Sequence, residues 1–177
     1  MSVADDLTTA TTGWPRLQTN FPLPSAAMKI VLQRVQRAEV RVDGEVIGAI
    51  GRGVLLLVGV EHGDGPADVR ITARKIANLR IFPGRTPMDL SLSEVDGACL
   101  VISQFTIAGS IKKGRRPSFD KAADPAEAKP LYEALITELR GHGLPIESGR
   151  FGATMAVELV NDGPVTLLVM SQGGVLL

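Results

Sequence analysis

The sequence predicts an α/β fold: a single domain with three layers, α/β/β, mostly antiparallel sheets and two helices packed on one side. Three observations carry this. Short runs of strand character recur along most of the chain, and only two segments show helical periodicity. The run Val54-Leu55-Leu56-Leu57-Val58-Gly59-Val60 is apolar without alternation, which marks a central strand covered on both faces. Two helices cannot cover both faces of this much strand, so the helices are expected on one sheet with a second sheet behind it.

The elements follow in order. Residues 1–27 are rich in Thr, Ser, Pro and Ala without periodicity, and Asp5 and Asp6 spoil any basic start of a signal peptide, so they read as a disordered extension before a domain over 28–177. Met28 opens a strand-like run to Val35, and natural translation starting at Met28 is one hypothesis. Ala38 to Val42 alternates with period two, Asp43-Gly44 is a hairpin turn, and Glu45 to Ile50 returns as a strand. After the Gly51-Arg52-Gly53 turn and the central strand, a helix is expected over about 66–79. Asp64 lies near its N-cap and Pro66 in its first turn; Val69, Ala73, Ile76 and Ala77 form one face, and Arg70, Arg74 and Lys75 the other. Short strands are expected near 80–82 and 88–92, then a buried strand from Ala98 to Gln104 after the Asp96-Gly97 turn. A second helix starts with Asp124 as N-cap, Pro125 at N1 and Glu127 at N3, buries Leu131, Leu135, Ile136 and Leu139, and stops at Gly141. Pro130 removes an amide donor there, so a kink or a later effective start is expected. Strands near 144–148, 154–160 and 165–170 close the chain, the last two separated by Asn161-Asp162-Gly163-Pro164.

Composition narrows the function. Of the 177 residues 45% are apolar, enough for one core without disulfides or metals. The single cysteine, Cys99, lies in an apolar run and reads as a buried hydrophobe. No run reaches the roughly 18 apolar residues of a membrane-spanning helix, so the protein is expected to be cytoplasmic, with no membrane partner. The formal net charge is zero, which excludes a protein that holds nucleic acid mainly by overall charge. A local basic cluster remains, Lys112-Lys113-Gly114-Arg115-Arg116, either a solvated loop or a contact for a few phosphates.

The catalytic inventory is thin. His62 and His142 sit beside Gly in apparent loops, without metal-ligand spacing, a Cys-His pair or a GxSxG motif. No phosphate-cradling glycine motif is present, and neither a cofactor nor a metal is expected. Two polar segments interrupt apolar runs. Ser103-Gln104-Phe105-Thr106, at a strand end, could supply oxyanion donors or simply make local Ser/Thr hydrogen bonds. Asn161-Asp162-Gly163-Pro164-Val165-Thr166 holds an X-Pro bond able to adopt cis and a Gly that permits close backbone approach, or is an ordinary loop between strands.

Taken together, Gln33-Arg34-Val35, Ser103-Gln104-Phe105-Thr106, Arg116-Pro117-Ser118-Phe119, Gly149-Arg150-Phe151 and Asn161-Asp162-Gly163-Pro164-Val165-Thr166 resemble the D-aminoacyl-tRNA deacylase family over about residues 28–170. The resemblance implies a hydrolase that cuts the ester of D-aminoacyl-tRNA, and of Gly-tRNA mischarged on tRNA-Ala. It implies a homodimer with active sites at the interface, where Gly163 and Pro164, joined by a cis peptide, face the partner's Ser103, Gln104, Phe105 and Thr106 and reject L-aminoacyl esters. Arg34 would orient that loop, and Lys112, Lys113, Arg115 and Arg116 would contact the tRNA, with no role for DNA. Thr106 as nucleophile and direct attack by water remain alternatives, the latter preferred because no base is visible beside Thr106. Two other readings stay open: a non-catalytic module that binds tRNA ends, and a related deacylase of relaxed chirality that acts on L-Ala-tRNA.

Overall fold

The computed structural model describes residues 27–112 and 114–177. The expected extension lies outside the described residues except for Ala27, which is already fully buried and donates its N–H to Glu61 Oε2 at 3.1 Å.

The two runs read at the start are one strand, β1 (Met28–Val42), whose register slips between Gln33 and Val35 and again between Val35 and Arg37. The hairpin is as expected: Asp43 and Gly44 adopt φ of 53° and 85° and return the chain into β2 (Glu45–Ile50). The apolar run forms β3 (Gly53–Gly59), buried at almost every position. Helix α1 (Pro66–Asn78) is capped by Gly65 rather than Asp64, because the Asp68 carboxylate reaches back to the Gly65 N–H at 3.1 Å. Asp64 instead accepts the Glu61 N–H at 2.7 Å. The strands expected at 80–82 and 88–92 shrink to a single bridge, Phe82 to Leu90, since no neighbouring strand lies beside them to extend a ladder.

Next comes β4 (Ala98–Ser103), then α2 (Pro125–Gly141), β5 (Ile146–Ser148), β6 (Ala156–Gln172) and β7 (Val175–Leu176). Helix α2 starts at Pro125 and runs through Pro130, so no later start is seen. Pro130 and Ala126, whose carbonyl lacks its usual donor, are both exposed, and water can satisfy that carbonyl. The buried stripe is Ala128, Tyr132, Leu135, Ile136 and Leu139; Leu131 is only partly covered. Asp124 caps with its backbone carbonyl to Glu127 and Ala128, without a side-chain bond. The two late strands are also one: β6 is continuous, and Asn161 pairs with Val35 while Thr166 pairs with Gln33. Residues 162–165 thus bulge out opposite the single residue Arg34.

All seven strands belong to one mixed sheet in the order β5-β4-β3-β1-β6-β7, with β2 paired to β1. The β3–β4 and β4–β5 pairs are parallel and the other ladders antiparallel. This corrects the expectation of a separate second sheet. Along one edge of β1 the first half pairs with β3 and the second half with β2. The register slips let the strand bend, because unpaired residues raise local twist. The bent half carries β2 back over β4 and β5, so that a Cβ on Gly48 would lie 3.1 Å from the Ser148 carbonyl. A small core of Val35, Ala38, Val40, Ile50, Leu55, Leu100 and Ile102 fills the curl. The larger core lies on the opposite face, where Ile30, Leu32, Leu56 and Val101 meet Val69 and Ile76 of α1 and Leu135 and Leu139 of α2. Fully buried leucines of this kind each stabilise the fold by about 1.5–3 kcal/mol.

Candidate active site

The strongest candidate lies where β4 ends. Parallel pairing sets Ser103 beside Val58, and the Gln104 N–H then donates to the Val58 carbonyl at 2.7 Å, the last rung before the chain turns away. Gly59 makes the turn possible: a Cβ there would lie 3.1 Å from Ile107 Cβ and 3.3 Å from the Gln104 carbonyl. The chain enters a one-turn 3-10 helix, Phe105–Ala108, with Gln104 as its cap. Helical bonding starts with Ile107 N–H to Gln104 O at 3.2 Å, so the amides of Phe105 and Thr106 precede the first donor that such a turn can satisfy internally. Gln104 Nε2 donates to Thr106 Oγ1 at 2.5 Å.

Beside this turn opens a cavity of about 580 Å³. Ser103, Gln104 and Phe105 line one wall, Val58 and Val60 the floor, and Phe119, Ala122, Tyr132, Phe151 and Met155 much of the rest. Phe105, 59% exposed, meets Phe119 edge-on with centroids 5.1 Å apart, and Tyr132 lies 5.8 Å from Phe151. Tyr132 donates to the Val101 carbonyl at 2.8 Å, and burial pushes its phenol up to about 12, so it stays neutral. Apolar and aromatic walls with a short polar edge suit a flat ring bearing a polar, reacting end. Thr106 itself is exposed beside the cavity and does not line it.

The second segment is built by Arg34, which is only 7% exposed. Its guanidinium donates to the carbonyls of Ile81 and Asp162, the latter at 3.0 Å, and pairs with the Asp162 carboxylate at 3.1 Å. Asn161 Nδ2 spans the base of the bulge, donating to the carbonyls of Arg34 (3.2 Å) and Val165 (3.4 Å). Gly163 and Pro164, joined by a cis peptide, stand exposed at the crest. Neither lines the cavity of its own chain, so one chain does not bring the two predicted segments together.

Lys112, Arg115 and Arg116 are exposed on the loop after the 3-10 turn, while Lys113 lies outside the described residues. Neither histidine lines the cavity; His62 pairs with Glu127 at 3.3 Å on the surface and His142 caps α2. Cys99 is fully buried and its thiol is pushed up to about 12 by desolvation, as suits a core residue. Among the described residues no cluster of three or more His, Cys, Asp or Glu side chains is placed to hold a metal ion.

Sequence reasoning missed the α2 wall, Ala128 and Tyr132, and the role of Gly59. Tyr132 lies on the 3.6-residue stripe of Leu135, Ile136 and Leu139, and a polar-tipped aromatic on a core stripe was the available signal. It also missed a buried acidic group beside the start of β1, where Glu61 is sealed against Lys29 and burial pushes Asp64 up to about 6.

Comparison with known proteins places these features in context. The family model described as D-Tyr-tRNA(Tyr) deacylase matches residues 31–170. A protein of Halalkalibacterium halodurans named D-aminoacyl-tRNA deacylase is 55% identical over 146 residues, covering 82% of this chain and 100% of its own length. Another of that name from Anaeromyxobacter dehalogenans is 56% identical over 146 residues, covering 82% and 98%. The fold is similar to a solved structure titled c-Myc DNA Unwinding Element Binding Protein, 38% identical with a TM-score of 0.77, across 82% of this chain and 100% of that one. A probable eukaryotic D-amino acid tRNA deacylase, 18% identical with a TM-score of 0.70 over 82% and 100%, shares the fold.

Proposed function

The chain belongs to the D-Tyr-tRNA(Tyr) deacylase family, and from that premise we propose that it hydrolyses the ester between a D-amino acid, or glycine, and the 3′ end of tRNA, glycine mischarged on tRNA-Ala included. The observation that carries the reading is the joining of an apolar, aromatic cavity to a turn whose Phe105 and Thr106 amides precede its first internally bonded donor. The cavity would take the terminal adenosine, leaving the ester carbonyl at the turn.

Water attacks the carbonyl carbon, and the amides of Phe105 and Thr106 stabilise the oxyanion that forms. The bond from carbon to the ribose oxygen then breaks. The ribose oxygen takes up the proton given by the water, with the adjacent 2′-hydroxyl as relay, and free amino acid and tRNA leave. Thr106 is a poor nucleophile in this setting, because an amide N–H rather than a base faces its oxygen.

The filter against L-amino acids is assigned to Gly163 and Pro164 of a second copy of the chain. On the sheet face away from the helices, Leu57, Val31 and Leu168 lie side by side across β3, β1 and β6, and Leu168 is 58% exposed. A copy docked there buries this strip and brings the neighbouring bulge of β6 over the partner's Ser103–Thr106 turn. Main-chain atoms of Gly163 and Pro164 then fill the space an L side chain needs, while a D side chain points away and glycine has none. Arg34 holds that bulge; Lys112, Lys113, Arg115 and Arg116 hold tRNA phosphates. Such an enzyme works in the cytoplasm, where its substrate is.

The test is incubation of the purified protein with D-Tyr-tRNA. Release of tyrosine within the single-turnover period is expected; tight binding with the ester intact would replace the enzyme by a tRNA-end binding module.

A further inference from the structure

We propose that Ile111, Lys112, Arg115 and Arg116, on the described parts of the loop between Ser110 and Ser118, grip the unpaired 3′ strand next to the terminal adenosine, with Ile111 against a base and the three cations on the phosphates; the inference rests on the deacylase reading above. The loop is a built projection. Ser110 and Ser118 exchange backbone hydrogen bonds of 2.7 and 2.9 Å that close its base. Gly109 ties that base to the reactive turn through a 3.0 Å bond to the Thr106 carbonyl. A Cβ on Gly109 would fall 2.8 Å from that carbonyl and 2.9 Å from the Phe119 ring, so the base is seated directly against the cavity wall. Gly114, at φ +70°, turns the tip.

Two features of this projection point to one kind of ligand. Ile111 is 84% exposed, the most exposed of the large hydrophobic residues described. Lys112, Arg115 and Arg116 are exposed around it, and none takes part in an ion pair among the described residues. Cations alone would suit any nucleic-acid backbone. An apolar side chain held out among them needs an accessible flat face. A paired A-form stem keeps its base faces stacked inside, whereas unpaired nucleotides offer base faces and phosphates together. Reach agrees: the cations lie two or three residues from the loop base, about 7–10 Å at extended spacing, near enough to meet nucleotides that adjoin the cavity. The loop thus reads the single strand leading into the site, independent of the sequence of the paired stem.

The experiment compares single-turnover hydrolysis of D-tyrosyl esters of adenosine, of the trinucleotide CCA and of whole tRNA. The proteins are wild type, Ile111→Ala, and a triple variant Lys112→Ala, Arg115→Ala, Arg116→Ala. Wild type is expected to prefer the CCA ester to the adenosine ester. Ile111→Ala should lower kcat/KM on the CCA and tRNA esters together by about fourfold to fiftyfold, as one to three methyl or methylene groups lose their burial against a base. The adenosine ester, which lacks the nucleotides the loop would hold, should react as with wild type, which also reports an intact fold. The triple variant should act on the same two substrates and flatten their salt dependence. Loss confined to whole tRNA would place the loop on the paired stem and overturn the inference, as would equal loss on all three esters or no loss on any. Absence of hydrolysis of every ester by wild type would instead remove the deacylase reading itself.

Discussion

Thr106 sits on the turn proposed to hold the ester, beside a cavity that Ser103 rather than Thr106 lines, and its geometry argues against covalent catalysis. Gln104 Nε2 donates to its oxygen at 2.5 Å, and among the described residues no carboxylate or imidazole is hydrogen-bonded to the hydroxyl to take its proton. Thr106→Ala should therefore keep most of the single-turnover rate on D-Tyr-tRNA; complete loss with binding intact, or a trapped acyl-enzyme, would restore the nucleophile. A second residue, Asp64, governs stability rather than chemistry. Burial raises its folded pKa from the ordinary value to about 6, and the Asp68 and Glu61 carboxylates add to this while the Glu61 N–H works against them. A carboxyl whose folded pKa is raised binds its proton more tightly when folded. Its contribution to stability is therefore complete below the unfolded pKa near 4 and lost as pH rises through about 6. Asp64→Asn, whose side-chain oxygen can still accept the Glu61 N–H, should match wild type in thermal stability at pH 4. It should exceed wild type above pH 6; an equal difference at both pH values would contradict this.

At the scale of elements, β6 shows what the bulge requires. Four residues stand opposite Arg34, and Gly163 sits at φ +137°, a region open in practice only to glycine. A Cβ there would also come within 2.7 Å of Arg34 Nη2. Gly163→Ala should destabilise the fold by about 1–3 kcal/mol in denaturant titration, and should narrow the preference for D over L esters because the crest must move. Unchanged stability and selectivity would detach the bulge from the filter. The same strand marks the limit of legibility in the sequence. Asn-Asp-Gly-Pro has the composition of a turn, and nothing local says that β1 holds both flanks in one ladder. The hairpin at Asp43-Gly44 and the start of α2 at Pro125 were legible because residue chemistry alone decides them. The strand pieces at 80–82 and 88–92 were not, because a ladder needs a neighbour that only the tertiary fold supplies. The site residues at the end of β4 stood out as polar residues breaking an apolar run, whereas the cavity walls on α2 looked like ordinary core.

The described residues form one curled sheet with both helices on a single face, and beyond the curl the strip of Leu57, Val31 and Leu168 on the opposite face stays partly uncovered. The register slips that bend β1 are invisible in its alternating pattern, which is why a separate second sheet was the natural expectation. The same arrangement keeps the β6 bulge out of its own chain's cavity, which is why the proposed filter calls for a second copy. The most direct measurement is single-turnover hydrolysis of matched D-Tyr-tRNA, L-Tyr-tRNA and Gly-tRNA by the wild-type protein, at concentrations where its oligomeric state has been established. Rapid loss of the D and glycyl esters by a dimer, with the L ester spared, is the predicted result; equal loss of the D and L esters would contradict it.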